Sequence, residues 1–203
     1  MLKVFAVAAA GLAFGALLAW PWIDWPVRPG WIGAGLLVLA AIAVRRHWDR
    51  RKVIGDDPGA RERRSWHALA GLAVICGHLI ASLAQGVDLH VGGDNTLALD
   101  NWTLIVGAGA AWLIVRARVM EKDERDREMA NRGVRVGYGV LVGLSVLLLL
   151  TLGFAPPPIA ARLDPFVLGN VMVVIILLAV MADQGARLIG YWSAALPEEE
   201  ADG

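Results

Sequence analysis

Six apolar segments, each about the length needed to cross ~30 Å of hydrocarbon, run through this chain near residues 2–20, 28–45, 66–86, 102–119, 134–155 and 166–186. Nearly all of the charge lies in the gaps between them. With 57% of its 203 residues hydrophobic and 19% charged, the chain carries more apolar surface than a soluble domain can cover. A bilayer is its natural solvent. Strands are excluded because an open sheet edge leaves backbone groups unpaired in lipid, and the apolar runs lack the alternation of a barrel. The expected fold is an all-α, polytopic bundle of six transmembrane helices, forming one domain over residues 1–192 and followed by an acidic tail, 193–203.

The basic residues set an orientation. The gap 45–64 holds eight of them (Arg45, Arg46, Arg50, Arg51, Lys52, Arg61, Arg63 and Arg64), and the gap 116–135 holds seven (Arg116, Arg118, Lys122, Arg125, Arg127, Arg132 and Arg135). The alternate gaps share only Arg28 and Arg162. By the positive-inside rule the two basic loops and both termini are cytoplasmic. The expected location is therefore the bacterial cytoplasmic (inner) membrane. Tryptophans agree: Trp20, Trp22, Trp25, Trp31 and Trp102 fall at the outer boundary, Trp48, Trp66 and Trp192 at the inner one, and Trp112 alone in mid-span. The first segment is read as a retained helix, because Leu17 spoils a small-x-small cleavage pattern. A shift of 71 residues lays Arg45 on Arg116 and Arg64 on Arg135, a weak hint of a hairpin repeat, 27–86 with 98–157.

Few residues suggest chemistry. The single cysteine, Cys76, excludes an intramolecular disulfide and a multi-cysteine metal cage. The third span carries His67, His78, Ser82 and Gln85 on one helical stripe, and the sixth carries Asp183 and Arg187 at ion-pair spacing. These six form a possible intramembrane polar site, read as interhelical packing or as a path for protons or ions. Haem ligation needs histidines on facing helices, whereas His67 and His78 lie ~16 Å apart on one; His47 and His90 are poorly placed as a second ligand, and no cofactor is expected. Asp88, His90 and Asp94 on a glycine-containing outer loop are donors a divalent cation could use, although the turn at Gly92-Gly93 accounts for the glycines. No clustered carboxylates and no nucleophile with a base stand out, so an enzyme is disfavoured.

The most patterned polar stretch runs from Glu121 to Gly133. Spacings of four between Glu121 and Arg125, Asp123 and Arg127, and Glu128 and Arg132 suit a solvated helix laced with ion pairs, continuing the fifth span with Gly133 as a break. Glu121, Asp123, Glu124, Arg125, Asp126, Arg127, Arg132 and Arg135 are the expected docking residues for a cytoplasmic regulator or a subunit of a membrane complex. The alternative function is a small transporter using the third helix. Self-association through Gly107-Ala-Gly109-Ala-Ala111 is also open, and no direct contact with nucleic acid is expected. Asp123-Glu-Arg-Asp-Arg, then Gly133-Val-Arg-Val-Gly-Tyr138, then a late span from Asn170 to Asp183 with Tyr191 near its end, resembles a family of small bacterial inner-membrane proteins of unknown function that carry a DERDR-like motif ahead of a membrane helix. Asp183 stands where that family is expected to have glutamate, and Trp192-Ser193 stand where arginines are expected. Such proteins are often encoded beside helix-turn-helix regulators, so the resemblance implies a regulatory partner and no particular chemistry.

Overall fold

A computed structural model describes residues 1–52, 59–86, 96–116, 124–160 and 165–193. The described residues are helical, with six long helices and one single turn: α1 (Leu2–Leu18), α2 (Pro29–Lys52), α3 (Ala60–Ala84), α4 (Thr96–Val115), α5 (Glu124–Phe154), α6 (Pro157–Ala160) and α7 (Pro165–Ser193). Proline opens α2, α6 and α7, where its missing N–H costs nothing and its fixed φ suits the first turn. Acidic Glu124 and Asp126 in the first turn of α5 complement that helix's positive end. Five helices, α2, α3, α4, α5 and α7, are long and apolar enough to cross a membrane, and α1 is a shorter apolar helix of 17 residues. The molecule is a helical membrane bundle.

Side-chain contacts fix the relative direction of the helices. At one end Lys3 lies over the Trp192 ring, Arg45 donates to the Ile114 carbonyl and Arg61 pairs with Asp126. These gather the start of α1, the ends of α2, α4 and α7, and the starts of α3 and α5. At the other end Arg28 meets Asp100 and Gln85 meets Ala19. The long helices therefore alternate in direction, and the described basic residues other than Arg28 collect at a single end.

Helix α3 is the hub, packed on α1, α4 and α7; α2 rides on the far side of α4, and α5 on the far side of α7. Two clusters fill the centre. Val4, Leu69, Ala73, Cys76, Met181 and Leu188 join α1, α3 and α7, while Leu18, Val74, Ile75 and Leu104 join α1, α3 and α4. Small residues set the approach, as expected where lipid supplies no hydrophobic drive and helices associate by close contact. A Cβ on Gly15 would strike the Val74 carbonyl, and one on Gly77 the Leu12 carbonyl, so α1 and α3 cross backbone to backbone.

Several expectations are corrected. The fourth helix spans 96–115 rather than 102–119, because Asp100 and Asn101 are buried within it instead of ending it. Trp112 consequently sits in its last turn, with Arg64 and Arg116 over the ring, and belongs to the basic end rather than mid-span. Gly133 does not break α5; Asp183 and Arg187 of α7 occupy the space a Cβ would need there. Gly107 abuts Ala34 of α2 and Ala111 is buried, whereas Gly109 between them is exposed, with open space where a Cβ would stand.

Candidate functional site

Burial of a polar group is costly unless it finds a partner, and in the half of the bundle away from the basic end three side chains find one another. His78 and Ser82, one turn apart on α3, meet Asn101 of α4, and all three are essentially inaccessible. Nδ1 of His78 lies 2.8 Å from Oδ1 of Asn101. The Asn101 amide donates to Ser82 Oγ at 3.3 Å and to the Leu97 carbonyl at 3.1 Å, and the Ser82 hydroxyl donates to the His78 carbonyl at 2.8 Å. The ring closes when the imidazole proton is on Nδ1. Among the described residues His78 Nε2 has no hydrogen-bond partner.

The adjacent Asp100 points elsewhere, since neighbouring residues on a helix diverge by about 100°. Its carboxylate, 4% exposed, lies 3.6 Å from Arg28 Nε, and Arg28 also donates to the Thr96 carbonyl at 3.2 Å. The backbone of Gly30 hydrogen-bonds the same carboxylate. A Cβ on Gly30 would meet Asp100 Cα at 2.6 Å, so glycine is what lets the first turn of α2 reach this acid. The anion thus caps the positive end of α2. Gln85 does the converse for α1, donating to the Ala19 carbonyl at 2.7 Å, one of the acceptors that a helix end leaves unmet.

Serine, histidine and aspartate lie close together here, but their geometry is not that of a nucleophile. A charge relay needs the hydroxyl to give its proton to imidazole and the carboxylate to orient that ring. Here Ser82 donates to its own helix and Asp100 serves Arg28 and α2. The arrangement clamps helices and leaves no activated group.

The other sequence-derived residues separate from this cluster. His67 stands edge-on to Trp48, ring centres 5.8 Å apart, at the basic end. Asp183 and Arg187 form a two-pronged ion pair, 2.9 Å at both contacts, under Gly133 of α5. The six polar residues therefore make four local arrangements: His67 with Trp48, His78 and Ser82 with Asn101, Gln85 with the end of α1, and Asp183 with Arg187. Of the docking stretch, Glu121 and Asp123 lie outside the described residues, as do Asp88, His90, Asp94 and the acidic tail beyond Ser193. Asp126 turns inward, taking a hydrogen bond from Tyr191 Oη at 2.7 Å and pairing with Arg61 Nε at 3.2 Å. Arg125 donates to the Tyr191 carbonyl at 3.0 Å. Glu124, Arg127, Glu128, Arg132 and Arg135 are exposed, and among the described residues no Glu128–Arg132 ion pair forms.

Sequence reading missed Asn101, Asp100, Arg28 and Arg61 as partners. One signal was present for α4: Thr96-Leu-Ala-Leu99 already supplies apolar residues ahead of Asp100, so the helix could have been started there. Among the described residues no three His, Cys, Asp or Glu side chains converge as metal ligands. Comparison with protein-family models, curated proteins and solved structures found no match to this chain.

Proposed function

We propose that this chain is a non-enzymatic assembly or regulatory subunit of the bacterial cytoplasmic membrane, with its basic end in the cytoplasm and α5 as its docking helix. The orientation follows the positive-inside rule. The observation that carries the docking assignment is the isolation of α5. Of its 31 residues only Met129, Gly133 and Gly137 are buried, all on the side facing α7.

At 1.5 Å per residue α5 is about 46 Å long, so its first turns extend beyond ~30 Å of hydrocarbon. That extension displays Arg127, Glu128, Arg132 and Arg135. Deeper along the helix Gly139 and Gly143 are open, with nothing near the position of a Cβ, between exposed Tyr138, Val142 and Val146. A four-residue glycine spacing lets another membrane helix approach closely, and the charges above it can fix the register. The likeness to the DERDR-bearing family belongs to the same proposal.

In-cell photocrosslinking tests it. A photoreactive residue at Val142 should give a discrete protein adduct that disappears when Arg127, Arg132 and Arg135 are reversed to glutamate. The same probe at Leu113, exposed on α4, should give none. Equal adducts at both positions, or none at either in correctly inserted protein, would refute the assignment.

A transport reading draws on one feature, a polar-mouthed outer cavity of about 680 Å³ lined by Arg28, Gln85 and Asp100. Inward of His78, however, α3 presents Cys76, Ile75, Val74 and Ala73, all buried among apolar neighbours. Ion flux from proteoliposomes would reverse the preference.

A further inference from the structure

Helices α2 and α3 touch only sparingly, because α2 is held against α4 by the fit of Ala34 to Gly107. The wedge between them, toward the basic end, is a cleft of about 420 Å³ lined by Val44, Trp48, Trp66, His67, Gly71 and Trp112 among others. Small residues on α3 leave it open, and its walls are almost wholly apolar. That volume falls within the range of about 300–1,000 Å³ usual for small-molecule pockets, and so apolar a lining favours an apolar occupant over water.

Cations surround the mouth. The guanidiniums of Arg64 and Arg116 lie 5.9 and 5.4 Å from the Trp112 ring centre, and that of Arg63 lies 5.3 Å from Trp48. Arg45 is anchored beside them on the Ile114 carbonyl at 2.7 Å. Among the described residues the acidic side chains of these helix ends are Glu62, which accepts from Trp66 Nε1 at 3.3 Å, and Asp49 on the exposed end of α2. Four arginines against these two carboxylates give the described rim a positive excess. Among the described residues Arg64 Nε and His67 Nε2 are buried without a hydrogen-bond partner.

We propose that this cleft holds one acyl chain of an anionic membrane phospholipid, with the lipid phosphate on the Arg64–Arg116 rim. The tryptophans sit at headgroup depth, and basic pockets between membrane helices on the cytoplasmic side recognise anionic headgroups. The chain fills the space that α2 and α3 leave, and the phosphate supplies an acceptor for Arg64 Nε.

Because Trp48, Trp66 and Trp112 line the cleft, the native tryptophans report on it. The full chain in neutral detergent is titrated with phosphatidylglycerol or phosphatidylcholine carrying the same brominated acyl chains. Phosphatidylglycerol should quench at lower mole fraction. Arg64→Gln with Arg116→Gln should reduce that preference about fivefold per guanidinium removed. Gly71→Leu, whose Cβ would meet only Ala108 at 3.7 Å, should fill the cleft and reduce quenching by both lipids, and Ala40→Leu, on the exposed side of α2, is a second filler should the first fail to fold. Equal quenching by the two lipids in the native protein would overturn the proposal. So would a preference that survives loss of both arginines, or quenching that neither filler alters.

Discussion

Replacing Asn101 by alanine tests whether the buried polar ring holds α3 to α4. The substitution removes two interhelical hydrogen bonds, to His78 at 2.8 Å and to Ser82 at 3.3 Å, plus one to its own helix. Interhelical bonds in membrane proteins contribute ~0.6 kcal/mol each on average, so the two give ~1.2 kcal/mol. The variant also strands the Nδ1–H of His78 in a fully buried site, which adds about 1–3 kcal/mol, reduced to the extent that Ser82 Oγ, 3.4 Å away, accepts the hydrogen bond instead. The expected loss is about 2–3 kcal/mol. Thr103→Ala is the control, because its hydroxyl bonds only the Leu99 carbonyl of the same helix. Unfolding in mixed micelles, with a double-mutant cycle between Asn101→Ala and Ser82→Ala, measures both quantities. The cycle should return a coupling near ~0.6 kcal/mol. If Asn101→Ala costs no more than Thr103→Ala, the ring does not fasten the helices and its polarity needs another explanation.

Three further outcomes are expected. Tyr191→Phe, which removes the hydroxyl bonded to Asp126, should cost about 1 kcal/mol in the same unfolding assay, and Asp126→Asn should remove most of the benefit of that hydroxyl. Gly137→Val drives a side chain into the Ala179 carbonyl and Asp183, and should lower stability by about 1–3 kcal/mol; Gly139→Val, facing open space, should leave the isolated protein's thermal unfolding unchanged. With Cys76 replaced by alanine, cysteines at Asp24 and Arg46 should react with an impermeant thiol reagent from opposite faces of sealed vesicles, and labelling of both from one face would refute the alternating topology.

The gross architecture was legible because lipid leaves so few options: apolar runs of sufficient length become helices, and loops take the charge. The helix boundaries were less legible, for a related reason. Hydropathy treats a polar residue as an end and so begins the span at 102, after Asp100 and Asn101, although a buried amide with three hydrogen bonds and a carboxylate capping α2 are both compatible with a helix interior. Charge pairing failed differently. Four-residue spacing favoured partners within α5, yet a surface pair of that kind contributes only about 0.2–0.5 kcal/mol. Asp126 instead gains Arg61 and the Tyr191 hydroxyl from two other helices, contacts 65 residues distant along the chain. Neighbour choice was least visible of all. That α2 prefers α4, and α1 prefers α3, depends on matching Gly30 to Asp100, Gly107 to Ala34 and Gly15 to Val74, and such fits exist only between two surfaces.

Where the protein leaves polar groups unmatched bears on where its function lies. Within the membrane interior His78, Ser82 and Asn101 largely satisfy each other, which suits a fastening and gives no foothold to a substrate. Among the described residues the buried polar atoms without a partner are Trp25 Nε1, Arg64 Nε, His67 Nε2, His78 Nε2 and Asp100 Oδ1. Two of these, on Arg64 and His67, lie at the positive rim of the α2–α3 cleft, and the exposed arginines of α5 belong to the same end. The other three lie toward the opposite end, but of the five atoms among the described residues only Arg64 Nε belongs to an arginine, which favours anion binding at the basic end. The α2–α3 cleft suits a lipid chain and the far side of α5 suits a protein helix, so the two binding events should be separable: filling the cleft with Gly71→Leu should leave the Val142 crosslink intact, and reversing the α5 charges should leave the phosphatidylglycerol preference intact.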